Sequence, residues 1–191
     1  MASGGILSSD RGRWATPANG LTALRLLAAP LLAAAILHGR PGLAAALLGI
    51  AIATDLGDGA LARRRGEASP LGGLLDHAVD ATLCTAGLAA WACLGAVPAA
   101  LPPLVAAAFT QYVLDSRALA GRPLRASRIG RWNGLAYYGL LAVPIARDAL
   151  ALPGPGRAWT RAAGWLLVAT TLVSMADRLA ALRRPRAGAG A

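Results

Sequence analysis

Lysine is absent from this chain: all 19 basic residues are arginine, set against only 9 acidic ones. Aromatic residues make up 5% of it and charged residues 15%, and there are just 2 cysteines. The net charge of +10 would suit a polyanion. A nucleic-acid surface, however, interleaves its basic residues with stacking aromatics, and here the arginines instead flank apolar runs. Nucleic acid is therefore excluded as a partner, and anionic lipid headgroups and phosphate-bearing substrates are favoured. Cys84 and Cys93 lie nine residues apart in one apolar run, on opposite faces of a helix. That spacing excludes a local disulfide or a metal pair and leaves two small hydrophobes. What dominates instead is Ala, Leu and Gly. The chain is 56% hydrophobic with a mean hydropathy of +0.52, a composition of multi-spanning membrane proteins.

Six apolar segments of about 20 residues, each close to the length that crosses a 30 Å hydrocarbon core, can be marked. They run roughly over 17–38, 42–62, 71–94, 101–115, 132–152 and 158–182, the fourth being the shortest. The sequence thus predicts an all-α polytopic membrane protein with six transmembrane helices. Residues 1–16 are read as a polar juxtamembrane segment, 17–182 as one six-helix domain, and 183–191 as a disordered basic tail. Fourteen arginines fall on one side of this topology and four on the other, with Arg25 inside the first helix. The positive-inside rule puts the arginine-rich side and both termini in the cytoplasm.

Against this apolar background stand Asp55, Asp58, Asp76 and Asp80. One Asp at a bilayer centre costs about 2.5–3.5 kcal/mol, so four require compensation. Asp55 and Asp58 are three apart near the end of the second helix, and Asp76 and Asp80 four apart near the start of the third. Each pair shares a helix face, and all four lie toward the cytoplasmic side. If the two helices are antiparallel neighbours, the carboxylates form a box open to the cytoplasm, suited to one or two Mg²⁺ or Mn²⁺ ions, which prefer oxygen ligands. Gly59 and Gly72 remove side chains where a ligand comes close. Arg63 can fork onto phosphate oxygens, and Ser69 offers a hydroxyl. The alternative is that the Asp residues form structural ion pairs with Arg25 and Arg63.

Taken together, Asp55-x2-Asp58-Gly59-x2-Ala62-Arg63-x8-Gly72-x3-Asp76-x3-Asp80 resembles the motif of the CDP-alcohol phosphotransferase (CDP-alcohol phosphatidyltransferase) family at every fixed position. The resemblance implies an integral membrane enzyme, usually a homodimer, that displaces CMP from a CDP-linked donor with an alcohol acceptor and needs Mg²⁺ or Mn²⁺. It implies Asp55, Asp58 and Asp76 as metal ligands, and Asp80 as both ligand and general base. Asp58, Gly59, Ala62, Arg63, Ser69 and Gly72 would meet the CDP portion.

Asn19, Thr22 and Arg25 recur every three residues and form a stripe on the first helix, either a polar wall for the nucleotide or an N-cap with a snorkelling Arg. The segment is similar to the opening of phosphatidylglycerophosphate and cardiolipin synthases, with Ala18 inserted between Pro17 and Asn19. Between the fourth and fifth segments lie Arg117, Arg122, Arg125, Arg128 and Arg131. They read either as a solvated basic loop or, for Arg117, Arg128 and Arg131 joined by Arg178, as a pocket for an acceptor phosphate. Ser127 to Arg131 resembles the stretch found here in glycerophosphate-accepting members, while His77 and Ala81 depart from those synthases. The expected reaction is phosphatidyl transfer from CDP-diacylglycerol to sn-glycerol 3-phosphate. Phosphatidylglycerol or inositol phosphate are the alternative acceptors. The rival of another class is a cation transporter using the carboxylates as a permeation site. The far halves of these helices, however, carry few polar residues to continue a path.

Overall fold

The computed structural model describes residues 17–65, 70–115 and 128–183, with side chains over 24–57, 73–114 and 129–180. The segment 1–16, the tail 184–191, Ser69, Arg117, Arg122 and Arg125 lie outside the described residues. So do the side chains of Asn19, Thr22, Asp58, Gly59, Ala62, Arg63, Gly72 and Arg128.

Six helices account for the described chain: α1 Pro17–Leu37, α2 Pro41–Arg65, α3 Pro70–Cys93, α4 Leu101–Asp115, α5 Arg128–Ala149 and α6 Arg157–Arg183. There is no strand among the described residues. Proline opens α1, α2 and α3, where its fixed φ suits the first turn and its missing N–H is no loss. The helix ends are equally explicit. Gly39 and Gly95 take φ of 61° and 68°. Behind each, a pair of bonds closes the last turn, Arg40 N to Ala35 O with Gly39 N to Ile36 O, and Ala96 N to Trp91 O with Gly95 N to Ala92 O. This is the left-handed cap that glycine adopts without steric penalty.

Helix α1 packs against α2 and α3; α3 also meets α4 and α5; α5 meets α2 and α6; α4 meets α6. Among the described residues α1 makes the main contacts with both α2 and α3, and its Arg25 reaches carboxylates on each. The core runs through Ala29, Leu32, Leu83, Leu88, Leu101 and Leu141. Small residues allow the closest approaches. A Cβ on Gly164 of α6 would run into the Pro98 ring ahead of α4. Proline cannot swing aside as a flexible side chain does, so Gly164→Val should destabilise the fold by about 1–3 kcal/mol, read as a lower melting temperature in detergent.

Among the described residues no helix is long and apolar enough to cross a membrane. The reasons are local. Helix α4 has 15 residues, about 22 Å at 1.5 Å per residue. Asp76 and Asp80 lower the hydropathy of α3, and Arg147 and Asp148 that of α5. Large apolar side chains nevertheless face outward, among them Leu27, Leu31, Leu56, Trp132, Leu135, Trp165 and Leu166.

Candidate active site

Three helices deliver the charged centre. Arg25, the ninth residue of α1, is 1% exposed, the most deeply buried ionic group among the described residues. Its Nη1 donates to Asp55 Oδ1 at 2.7 Å and to Asp80 Oδ1 at 3.2 Å, and its Nη2 donates to Asp76 Oδ1 at 2.8 Å. Helical spacing explains the convergence: Asp76 and Asp80 are one turn apart on α3 and reach the same guanidinium, while Asp55 comes from α2. The side chains of Asp55, Asp76 and Asp80 remain 43%, 39% and 28% exposed. Arg25 is thus the floor of the cluster and the carboxylates are its open rim.

Three of the four predicted carboxylates therefore do meet, but around an internal cation. Among the described residues no group of three or more acidic, His or Cys side chains stands close enough to hold a metal ion, because the guanidinium occupies the space between them. The stripe reading of α1 changes accordingly. Arg25 neither snorkels nor simply lines a wall, and the ion-pair alternative holds for it. The donor set still suits a hard cation. Three carboxylates around one guanidinium leave two negative charges unbalanced at the rim, and all the available donors are oxygens.

Asp80 also faces a second space. A cavity of about 580 Å³ lies among α3, α4, α5 and α6, lined by Asp80 together with His77, Tyr112, Arg131, Tyr138 and Arg178. Chain direction orders its wall. His77, Tyr112, Arg131 and Arg178 come from the helix ends nearest the Asp cluster, whereas Cys84, Val105 and Thr171 lie further along the same helices. The mouth is charged and the interior largely apolar. Tyr138 lies beside Asp80 on this wall, and the Tyr137 hydroxyl pairs with the Thr171 hydroxyl. Of the predicted acceptor residues, Arg131 and Arg178 stand on this wall. Cys84 is buried beside it and Cys93 is exposed; both are free thiols.

Sequence reasoning did not single out Tyr138 as a neighbour of Asp80, nor assign Tyr112 to the site. The signal available was register: Tyr112 sits one turn before the end of α4, on the side that α3 and α6 cover.

A six-helix bundle with a carboxylate cluster opening beside a cation-rimmed cavity defines a class of transferase that handles phosphorylated substrates. The chain belongs to the CDP-alcohol phosphatidyltransferase family, whose model matches residues 15–176, most of its length. No curated protein and no solved structure gives a significant match.

Proposed function

We propose that this protein is a membrane-embedded phospholipid-synthesising enzyme. It transfers a phosphatidyl group from CDP-diacylglycerol to an alcohol, preferentially sn-glycerol 3-phosphate, and releases CMP. The observation that carries this reading is the double position of Asp80, in the carboxylate cluster and on the wall of the arginine-rimmed cavity at once. A group placed so can serve a donor on one side and an acceptor on the other. The outward Leu, Ile and Trp side chains support a lipid environment, with six spans, cytoplasmic termini and a homodimer as in the reading from sequence.

Asp80 accepts the proton of the acceptor hydroxyl as that oxygen bonds to the lipid-bearing phosphorus. The phosphorus–oxygen bond to CMP breaks, and CMP leaves with the electron pair. Asp55, Asp58, Asp76 and Asp80 would hold one or two Mg²⁺ or Mn²⁺ ions, which when bound neutralise charge on the pyrophosphate oxygens. Asn19, Thr22, Asp58, Gly59, Ala62, Arg63, Ser69 and Gly72 are assigned to the CDP portion. Arg131 and Arg178, with Arg117 and Arg128, are assigned to the acceptor phosphate, where a guanidinium fork matches the oxygens.

CMP release by the purified protein, with CDP-diacylglycerol, Mn²⁺ and a panel of acceptors, tests the reading. Release with glycerol 3-phosphate alone supports it, and release with phosphatidylglycerol or inositol phosphate reassigns the acceptor. Ion flux in vesicles without CMP release would establish the transporter instead. Arg131→Ala should raise the acceptor KM about tenfold, the worth of one charge-assisted hydrogen bond partly exposed to water, and leave the donor KM near its starting value. The opposite split would move Arg131 to the donor.

A further inference from the structure

Three helices stack three side chains at the cavity mouth. The His77 ring of α3 lies against the Tyr112 ring of α4, with centroids 6.0 Å apart and planes at 20°. On Tyr112 rests the guanidinium of Arg178 from α6, its Cζ 4.7 Å from the ring centroid. All three line the cavity.

The stack is poorly explained by stability. His77 is exposed, Tyr112 and Arg178 only half-buried, and the buried core lies elsewhere on these helices. It is better explained by what it does to Arg178. An arginine near a helix end has many rotamers and a nearby polar surface to reach. An aromatic face beneath the guanidinium selects one of them, since cation–π attraction is worth about 0.5–2 kcal/mol and Arg stacks with its plane along the ring. Arg178 so held lines the same cavity as Asp80 and Arg131.

Resting on the reading of Arg178 as an acceptor-phosphate ligand, we infer that Tyr112, backed by His77, is a positioning residue that fixes the Arg178 guanidinium for the acceptor's anionic group. Acceptor affinity then depends on the ring that holds the guanidinium as well as on the guanidinium itself.

The test is steady-state kinetics of CMP release on the full chain in detergent, with acceptor and donor varied separately. Tyr112→Leu, which keeps most of the volume but removes the π face, should raise the acceptor KM about 2–30-fold, with a much smaller change in kcat and donor KM. Tyr112→Phe should restore a near-wild-type acceptor KM, because the ring and not the hydroxyl holds the cation. In the Tyr112→Leu background, Arg178→Ala should add less than about twofold, since the two act as one unit. Arg178→Lys keeps the charge but loses the planar stack, so it should raise the same constant and serves as the second probe if Tyr112→Leu does not fold. If Tyr112→Leu leaves the acceptor KM unchanged while Arg178→Ala raises it, the positioning role is overturned and the acceptor site stands. If Tyr112→Phe behaves as Tyr112→Leu, or if the Tyr112 and Arg178 effects simply add, the stack is likewise refuted. No change of acceptor KM in Arg178→Ala removes both this inference and the assignment of Arg178, leaving the CMP-release reaction to be judged by its own assay.

Discussion

Asp80→Asn should lower CMP release by about 10²–10⁴-fold, the usual contribution of a positioned general base, while the protein stays folded. The geometry separates the two effects. Asp80 makes the longest of the three contacts to Arg25, at 3.2 Å, beside bonds of 2.7 and 2.8 Å from Asp55 and Asp76. An amide oxygen can still accept from the guanidinium, so the cluster loses a charge and keeps its shape. What the amide cannot do is take a proton. Turnover within threefold of wild type would remove Asp80 from the chemistry; a matching fall in melting temperature would show that its role is structural. The same assay on Asp55→Asn should retain more activity, because Asp55 does not line the cavity.

Arg25→Met should have the largest effect on stability. The four groups of the cluster are unequal: Arg25 is 1% exposed, its carboxylate partners 28–43%. Losing one carboxylate leaves the guanidinium two others and leaves water at the rim. Losing the guanidinium leaves three like charges facing one another above an apolar floor. Removing one partner of a buried ion pair typically costs about 3–5 kcal/mol, here a drop in melting temperature on the order of 10 °C. Arg25→Lys should recover only part of it, since one ammonium cannot fork to three carboxylates as a planar guanidinium does. A melting temperature within a degree or two of wild type for Arg25→Met would contradict the central place given to it.

Much of this architecture is written locally. Six apolar runs became six helices with ends within a few residues of expectation, because Pro41, Pro70 and the Gly39 and Gly95 caps punctuate the chain at each end. The carboxylate spacings fixed which Asp residues share a face. What local pattern could not supply is the neighbour relation. The stripe containing Arg25 and the pairs on α2 and α3 are each readable alone, yet nothing in their spacing says that α1 brings its arginine to carboxylates on both. Among the described residues α3 and α5 carry charged side chains and fall short as spans, yet they expose Leu75, Trp132 and Leu135. The His77–Tyr112–Arg178 stack draws on residues 35 to 101 positions apart and was invisible for the same reason.

The position of Arg25 on the first helix also sets an order of assembly. Synthesis runs from the N-terminus, so the cation is made before any of its counter-charges: Asp55 follows 30 residues later, Asp76 51 and Asp80 55. In a bilayer, a lone arginine in α1 costs about 2.5–3.5 kcal/mol until those partners arrive. On the proposed reading of α1 as a membrane span, nascent α1 would be a reluctant insert, neutralised first by Asp55 of α2 and then by Asp76 and Asp80 of α3. Chains truncated after α2 should then hold α1 in the bilayer less firmly than chains truncated after α3, which carry all three counter-charges.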